Sequence, residues 1–181
     1  KPGREFILSG PDAEAISAFT GKPALDPIRV YVGRANGDTP RERAELALAE
    51  LRRQGAFQRK VLIVTSPTGT GWMDPGSHDP VEYMHNGDTA IAGFQYSYLP
   101  SWISYFVDQA SAKEASTTFF EMIHDHWREL DPDERPDLLP VVVGHRELLQ
   151  VSHDVNSTLE LQPLLDLILN QLKTVVNYTG A

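Results

Sequence analysis

Short apolar runs alternate along this chain with longer stretches of helical spacing, and that alternation predicts the fold. Four runs read as strands. Ile28-Arg29-Val30-Tyr31-Val32 is rich in β-branched and aromatic residues, whereas Val61-Leu62-Ile63-Val64 is continuously apolar, which suits a strand buried on both faces. Residues 90–96, within Thr89-Ala90-Ile91-Ala92-Gly93-Phe94-Gln95-Tyr96, form the third, and residues 138–143 the fourth. Helical signals fill the gaps. Residues 11–19 carry a proline near the start, acids in the first turn and Gly21 behind. Thr39-Pro40-Arg41-Glu42 is a capping box that opens a helix to Gln54, with Ala44, Leu48 and Leu51 on one face and Gly55 as its stop. Asp79-Pro80-Val81-Glu82 reads as another capping box, with Gly87 ending a helix of one or two turns. A helix is expected near 102–107. A longer one over 112–130 turns Ala112, Ala115, Phe119, Met122, Ile123 and Trp127 to one side, before the turn chemistry of Asp131-Pro132-Asp133-Glu134-Arg135-Pro136. The order β-α-β-α-β-α-β predicts an α/β fold with a parallel sheet and right-handed crossovers.

Candidate chemistry gathers between the second and third strands. After Thr65-Ser66-Pro67 comes the glycine loop Thr68-Gly69-Thr70-Gly71-Trp72, placed where the carboxyl ends of parallel strands receive ligands. Gly69, Thr70, Gly71 and Trp72 are the candidate oxyanion or cleft loop, since glycine lets backbone N–H groups approach a ligand closely. The alternative is a tight structural turn capped by a packed Trp72. Ser97, Tyr98, Ser101 and Trp102 are placed at the cleft entrance, with a buried aromatic corner as the competing reading.

The words TSPTGTGWMDP, EYMHNGDTA and QYSYLPSW resemble those of a bacterial α/β-hydrolase family, usually membrane-associated, whose members carry a TGTGW loop before the nucleophile-bearing strand. Likeness extends upstream through Gly3-Arg4-Glu5-Phe6, Ile16-Ser17-Ala18-Phe19-Thr20-Gly21 and Ile28-Arg29-Val30-Tyr31-Val32-Gly33, and downstream to about Leu138. The resemblance implies part of the parallel sheet of a three-layer α/β-hydrolase-like fold, acting on an ester or lipid-like small molecule. It also implies a membrane-associated setting, with any anchor outside this sequence.

An α/β-hydrolase carries its serine in a G-x-S-x-G elbow after such a strand. Here the turn reads Gly144-His145-Arg146-Glu147-Leu148. Arginine has no lone pair to attack a carbonyl, and its Cβ and that of leucine crowd the elbow. No later strand-like run offers a seat for the acid and histidine, so hydrolase ancestry without turnover is the expectation, and no catalytic residue is assigned. From Glu147 onward the pattern is helical. LLQVSHDVNSTLELQPLLDLILNQLKTVVNYTGA resembles the signalling helix and first helix of a GAF sensor domain from a histidine kinase. The domain expectation is therefore a truncated hydrolase-like domain over 1–143 and a helical hairpin over 144–181, joined as in a fused reading frame. Two other readings stay open: a signalling or oligomerisation segment that self-associates through Leu148 to Val176, and a non-catalytic small-ligand module.

Composition narrows the partners. A net charge of −9, from 16 basic and 25 acidic residues, argues against nucleic acid or an anionic membrane face. Without cysteine there is no thiolate nucleophile, disulfide or cysteine zinc site. Asp74, His78, Asp79, His85 and Asp88 match no metal spacing and read as caps and loop polars, so neither metal nor cofactor is expected. His124 and His126, two apart on a helix, are expected on different faces at the surface. His153 reads as an ordinary helix-face residue.

Overall fold

A computed structural model describes residues 2–67, 70–98 and 109–142, all within one compact unit. The elements are α1 (Pro2–Leu8), α2 (Ala13–Thr20), β1 (Ile28–Val32), α3 (Pro40–Gln54), β2 (Val61–Ser66), α4 (Pro75–Met84), β3 (Thr89–Phe94), α5 (Gln109–Glu129) and β4 (Asp137–Val142). The expectations for a helix near 102–107 and for everything beyond residue 142 lie outside the described residues.

All four strands pair in parallel, in the order β1-β3-β2-β4. Alternation along each strand sorts the side chains into two cores. Ile28, Val30, Val32, Leu62, Val64, Ala90, Ala92 and Phe94 meet Ala44, Ala47 and Leu51 of α3 and Ala115, Phe119 and Ile123 of α5. On the other face Val61, Ile63 and Ile91 meet Phe6 of α1 and Met73, with Val81 of α4 against them. Burial on both faces explains why the second run is continuously apolar. Phe119 stacks on Phe94, centroids 4.4 Å apart, and fixes α5 to the sheet.

The α3 signals act as written. The Thr39 hydroxyl accepts from Glu42 N, the Glu42 carboxylate accepts from Thr39 N, and Gly55 closes the helix at φ 76°. The next box is different. Helix α4 starts at Pro75, five residues earlier than expected, because Asp74 accepts from Gly76 N and caps it. Pro80 lies inside the helix, and the Asp79 and Glu82 carboxylates leave their own backbone for Arg29. Arg29 Nε and Nη2 bond the two Glu82 oxygens at 2.8 and 2.6 Å, Nη2 reaches Asp79 at 2.7 Å, and Nη1 donates to the Phe6 carbonyl at 2.7 Å. One buried guanidinium thus ties β1, α1 and α4. Burial alone lowers the Arg29 pKa, but its bonds to Glu82 and Asp79 outweigh that and raise it above the ordinary arginine value. Helix α1 itself has no counterpart among the sequence-predicted elements. The third strand stops at Phe94 rather than Tyr96, although Gln95 N still bonds the Val32 carbonyl.

Strand β4 has only β2 as a neighbour among the described residues. Asp137 N donates to the Lys60 carbonyl, so the backbone groups of Asp137, Leu139 and Val141 face β2, and those of Leu138, Pro140 and Val142 face outward. Proline therefore stands where its missing N–H interrupts the outer edge.

Arg29→Met strands two carboxylates, one of them fully buried, and is expected to cost about 3–5 kcal/mol in urea denaturation, whereas Arg29→Met with Glu82→Leu regains much of the loss. Residue-resolved amide exchange should show Leu139 and Val141 protected and Leu138 and Val142 fast. Protection of the latter pair would mean that another strand occupies the edge.

Candidate functional site

The carboxyl end of β2 delivers the chain into the glycine loop, which the fold holds at three points. The Tyr31 hydroxyl donates to the Gly71 carbonyl at 2.8 Å, and burial pushes its pKa up to about 12, so it remains a donor across the physiological range. Gly71 has φ 77°, and any Cβ there would collide with the Tyr31 hydroxyl and lie 2.8 Å from Gln95 Cβ, so glycine is required twice over. Met73 seats its thioether in the space left by Gly93, where an added Cβ would meet Met73 Cε at 2.8 Å and Sδ at 2.9 Å. Gly71 and Met73 are buried, while Trp72 between them is 47% exposed. The alternative of a packed Trp72 is not what the structure holds: its neighbours are gripped and its ring is presented to solvent.

Peptide planarity sets the next donor. With the Gly71 carbonyl aimed at Tyr31, the Trp72 N–H points the opposite way, and no hydrogen bond among the described residues uses it. It is a preorganised donor of the kind that lines an oxyanion hole, where two such groups act together. Thr70 is partly buried and already engaged, and Gly69 lies outside the described residues. Of the entrance residues, Ser97 is partly buried and already engaged, Tyr98 is well exposed, and Ser101 and Trp102 lie outside the described residues. The glycine loop and the segment after β3 do meet, through Gly71 and Gln95.

The acid and imidazole residues behind the loop separate into individual jobs. Asp74 caps α4, Asp79 pairs with Arg29, Asp88 accepts from Lys60 N, and His85 ends α4. His78 donates from Nδ1 to the Asp74 carbonyl at 2.6 Å, and burial, with the charge of Arg29, keeps its pKa below the ordinary histidine value despite that bond. It is a neutral pin for the first turn of α4. No group of three metal-ligating side chains occurs among the described residues. His124 and His126 are less superficial than expected. His124 stacks between Phe120 and Trp127, and His126 meets Phe57 edge-on at 4.6 Å. At the carboxyl end of β2, Ser66 Oγ lies 2.8 Å from Ser116 Oγ of α5. Two surface hollows lie elsewhere, one on Arg4, Glu5, Leu8 and Ser9, the other between the α1–α2 turn and the end of α3, and no glycine-loop residue lines either. No helix among the described residues is long and apolar enough to cross a membrane.

Sequence reasoning missed Tyr31 and Gln95, because each sits in or after a strand whose apolar neighbours explain it adequately. The local signal was a tyrosine hydroxyl in a strand, which needs a partner once buried.

A family model described as an alpha/beta-hydrolase family matches residues 28–147, which is 120 of the 181 residues. No curated protein and no solved structure matches the chain.

Tyr31→Phe should cost about 0.5–1.5 kcal/mol for the lost bond to Gly71. Gly71→Ala should cost more, and the double variant less than the sum of the two, because removing the hydroxyl relieves the collision; urea midpoints of the three proteins measure this.

Proposed function

The chain belongs to this alpha/beta-hydrolase family, and from that premise we propose that it descends from ester- or lipid-type serine hydrolases and does not itself perform serine-hydrolase turnover. The observation that carries the reading is Arg146, in Gly144-His145-Arg146-Glu147-Leu148, where a G-x-S-x-G elbow would place serine. A guanidinium is protonated at any working pH and has no free electron pair to offer a carbonyl carbon. What the chain keeps is the ligand side of the chemistry. The Trp72 N–H and the exposed Trp72 ring, on a loop gripped by Tyr31 and Gly93, are suited to polarise a carbonyl oxygen and to cover an apolar substituent. Such a loop binds an ester-like small molecule without forming a covalent intermediate.

Serine alone does not restore the activity. Nucleophile and base act as a unit, and a hydroxyl without its imidazole keeps a high pKa and attacks slowly. Treatment of the chain and of Arg146→Ser with a fluorophosphonate probe, read by intact-mass spectrometry, should give no stoichiometric adduct on either. Labelling of the unaltered chain at one serine or threonine overturns the reading and directs attention to Thr70, Ser97 or Ser101. Labelling of the variant alone reveals a working base, with His145 and His78 the first to be replaced.

A further inference from the structure

Both asparagines of the described residues are followed by glycine, as Asn36-Gly37 and Asn86-Gly87. Such a pair is chemically frail, because a following residue without Cβ leaves its amide nitrogen free to swing against the asparagine side chain. That nitrogen gives up its proton and attacks Cγ, the Cγ–Nδ2 bond breaks, ammonia leaves with the displaced proton, and a five-membered imide remains. Water then opens one of the two bonds from the imide nitrogen: at Cγ it leaves aspartate, at the main-chain carbonyl carbon isoaspartate. Two conditions govern the first step. The peptide between the two residues must be free to rotate, and the negative oxygen that forms on the side chain needs a hydrogen-bond donor.

Asn36 meets both conditions. It is exposed in the short turn after β1, and its Oδ1 already accepts from Gly33 N at 2.8 Å, so a backbone donor stands where the negative oxygen forms. Gly37 is extended, with φ −172° and ψ 150°, and neither end of the Asn36-Gly37 peptide is hydrogen-bonded among the described residues. Asn86 meets neither. Its Oδ1 is buried and finds no donor among the described residues. Both ends of its peptide are held, since Gly87 N donates to the Glu82 carbonyl at 2.8 Å and the Asn86 carbonyl accepts from Leu25 N at 2.9 Å. Glu82 is locked in turn, its carboxylate bonded twice to Arg29. Gly87 also lies so close to the Leu25 carbonyl that a Cβ there would collide with it, which leaves the segment little room to turn.

We propose that Asn36 is a deamidation site of the native chain, and that the fold shields Asn86 from the same reaction. The modification falls at the carboxyl edge of the sheet. Isoaspartate at position 36 lengthens the main chain between the Asn36 side chain, bonded to Gly33, and the Gly37 carbonyl, bonded to Arg43 Nη1 at 2.8 Å, so the turn cannot keep both bonds. Arg34 of the same turn donates from its N–H to Gln95 Oε1 at 3.4 Å, and Gln95 is the residue against which Gly71 packs, so the altered turn borders the glycine loop.

The experiment is incubation of the full chain in mildly alkaline buffer, with and without a denaturing concentration of urea, followed by digestion and peptide mass spectrometry that counts aspartate and isoaspartate at the two positions. In the native chain Asn36 should convert about tenfold or more faster than Asn86, whose reaction waits for local opening of the α4 terminus. In urea the two rates should converge, because each asparagine then keeps only its glycine neighbour. Native conversion of Asn36 no faster than that of Asn86, or a gap between them that persists undiminished in urea, overturns the proposal.

Discussion

The Arg29 guanidinium is the constraint from which most of this architecture hangs. A charge buried in a β-strand is tolerated only with its donors occupied, and occupying them brings Glu82 and Asp79 from α4 and the Phe6 carbonyl from α1 to one point on the sheet. Phe6 then covers the guanidinium with its ring, 4.9 Å from centroid to charge centre, and meets His78 at 5.5 Å. His78 in turn fixes the Asp74 carbonyl at the start of α4. The glycine loop ends where this pinned helix begins, so the loop's exit is set by the same ion pair. Its entrance is set by β2.

How much of this could be read from the residues depends on the range of the interaction concerned. The sheet was legible because a strand buried on both faces favours apolar side chains at successive positions, and Val61 to Val64 advertises that directly. Helix α3 was legible because Thr39, Glu42 and Gly55 act on backbone within four residues of themselves. The start of α4 was misread for the opposite reason. Asp79 and Glu82 have the spacing of a cap, but a partner 50 and 53 residues away competes for their carboxylates and wins, because a buried guanidinium gains more from them than an exposed N–H does. Helix α1 went unseen since it buries only Phe6 and presents no apolar stripe.

The candidate site divides along the same line. Gly71 could be singled out as a glycine in a ligand-facing loop, but the reason it must be glycine is Tyr31, forty residues earlier. Trp72 could be placed in the loop from sequence, which does not say whether an aromatic ring is swallowed or displayed.

The strand order carries a consequence for how the chain assembles. Among the described residues strand β1 pairs with β3 alone, with Ile28 opposite Ala90, so 62 positions of chain separate the partners. During synthesis β1 emerges well before β3, its partner among the described residues, and β2, made between them, must leave a place that β3 later fills. The Arg29 charge stays hydrated over the same interval, because Glu82 is made just ahead of β3. Neutralisation of that charge and insertion of the middle strand therefore fall together, late, as one long-range closure whose entropy must be met before its contacts form. Until then β1, on which helices α1 and α3 pack, lacks the strand that holds it in the sheet.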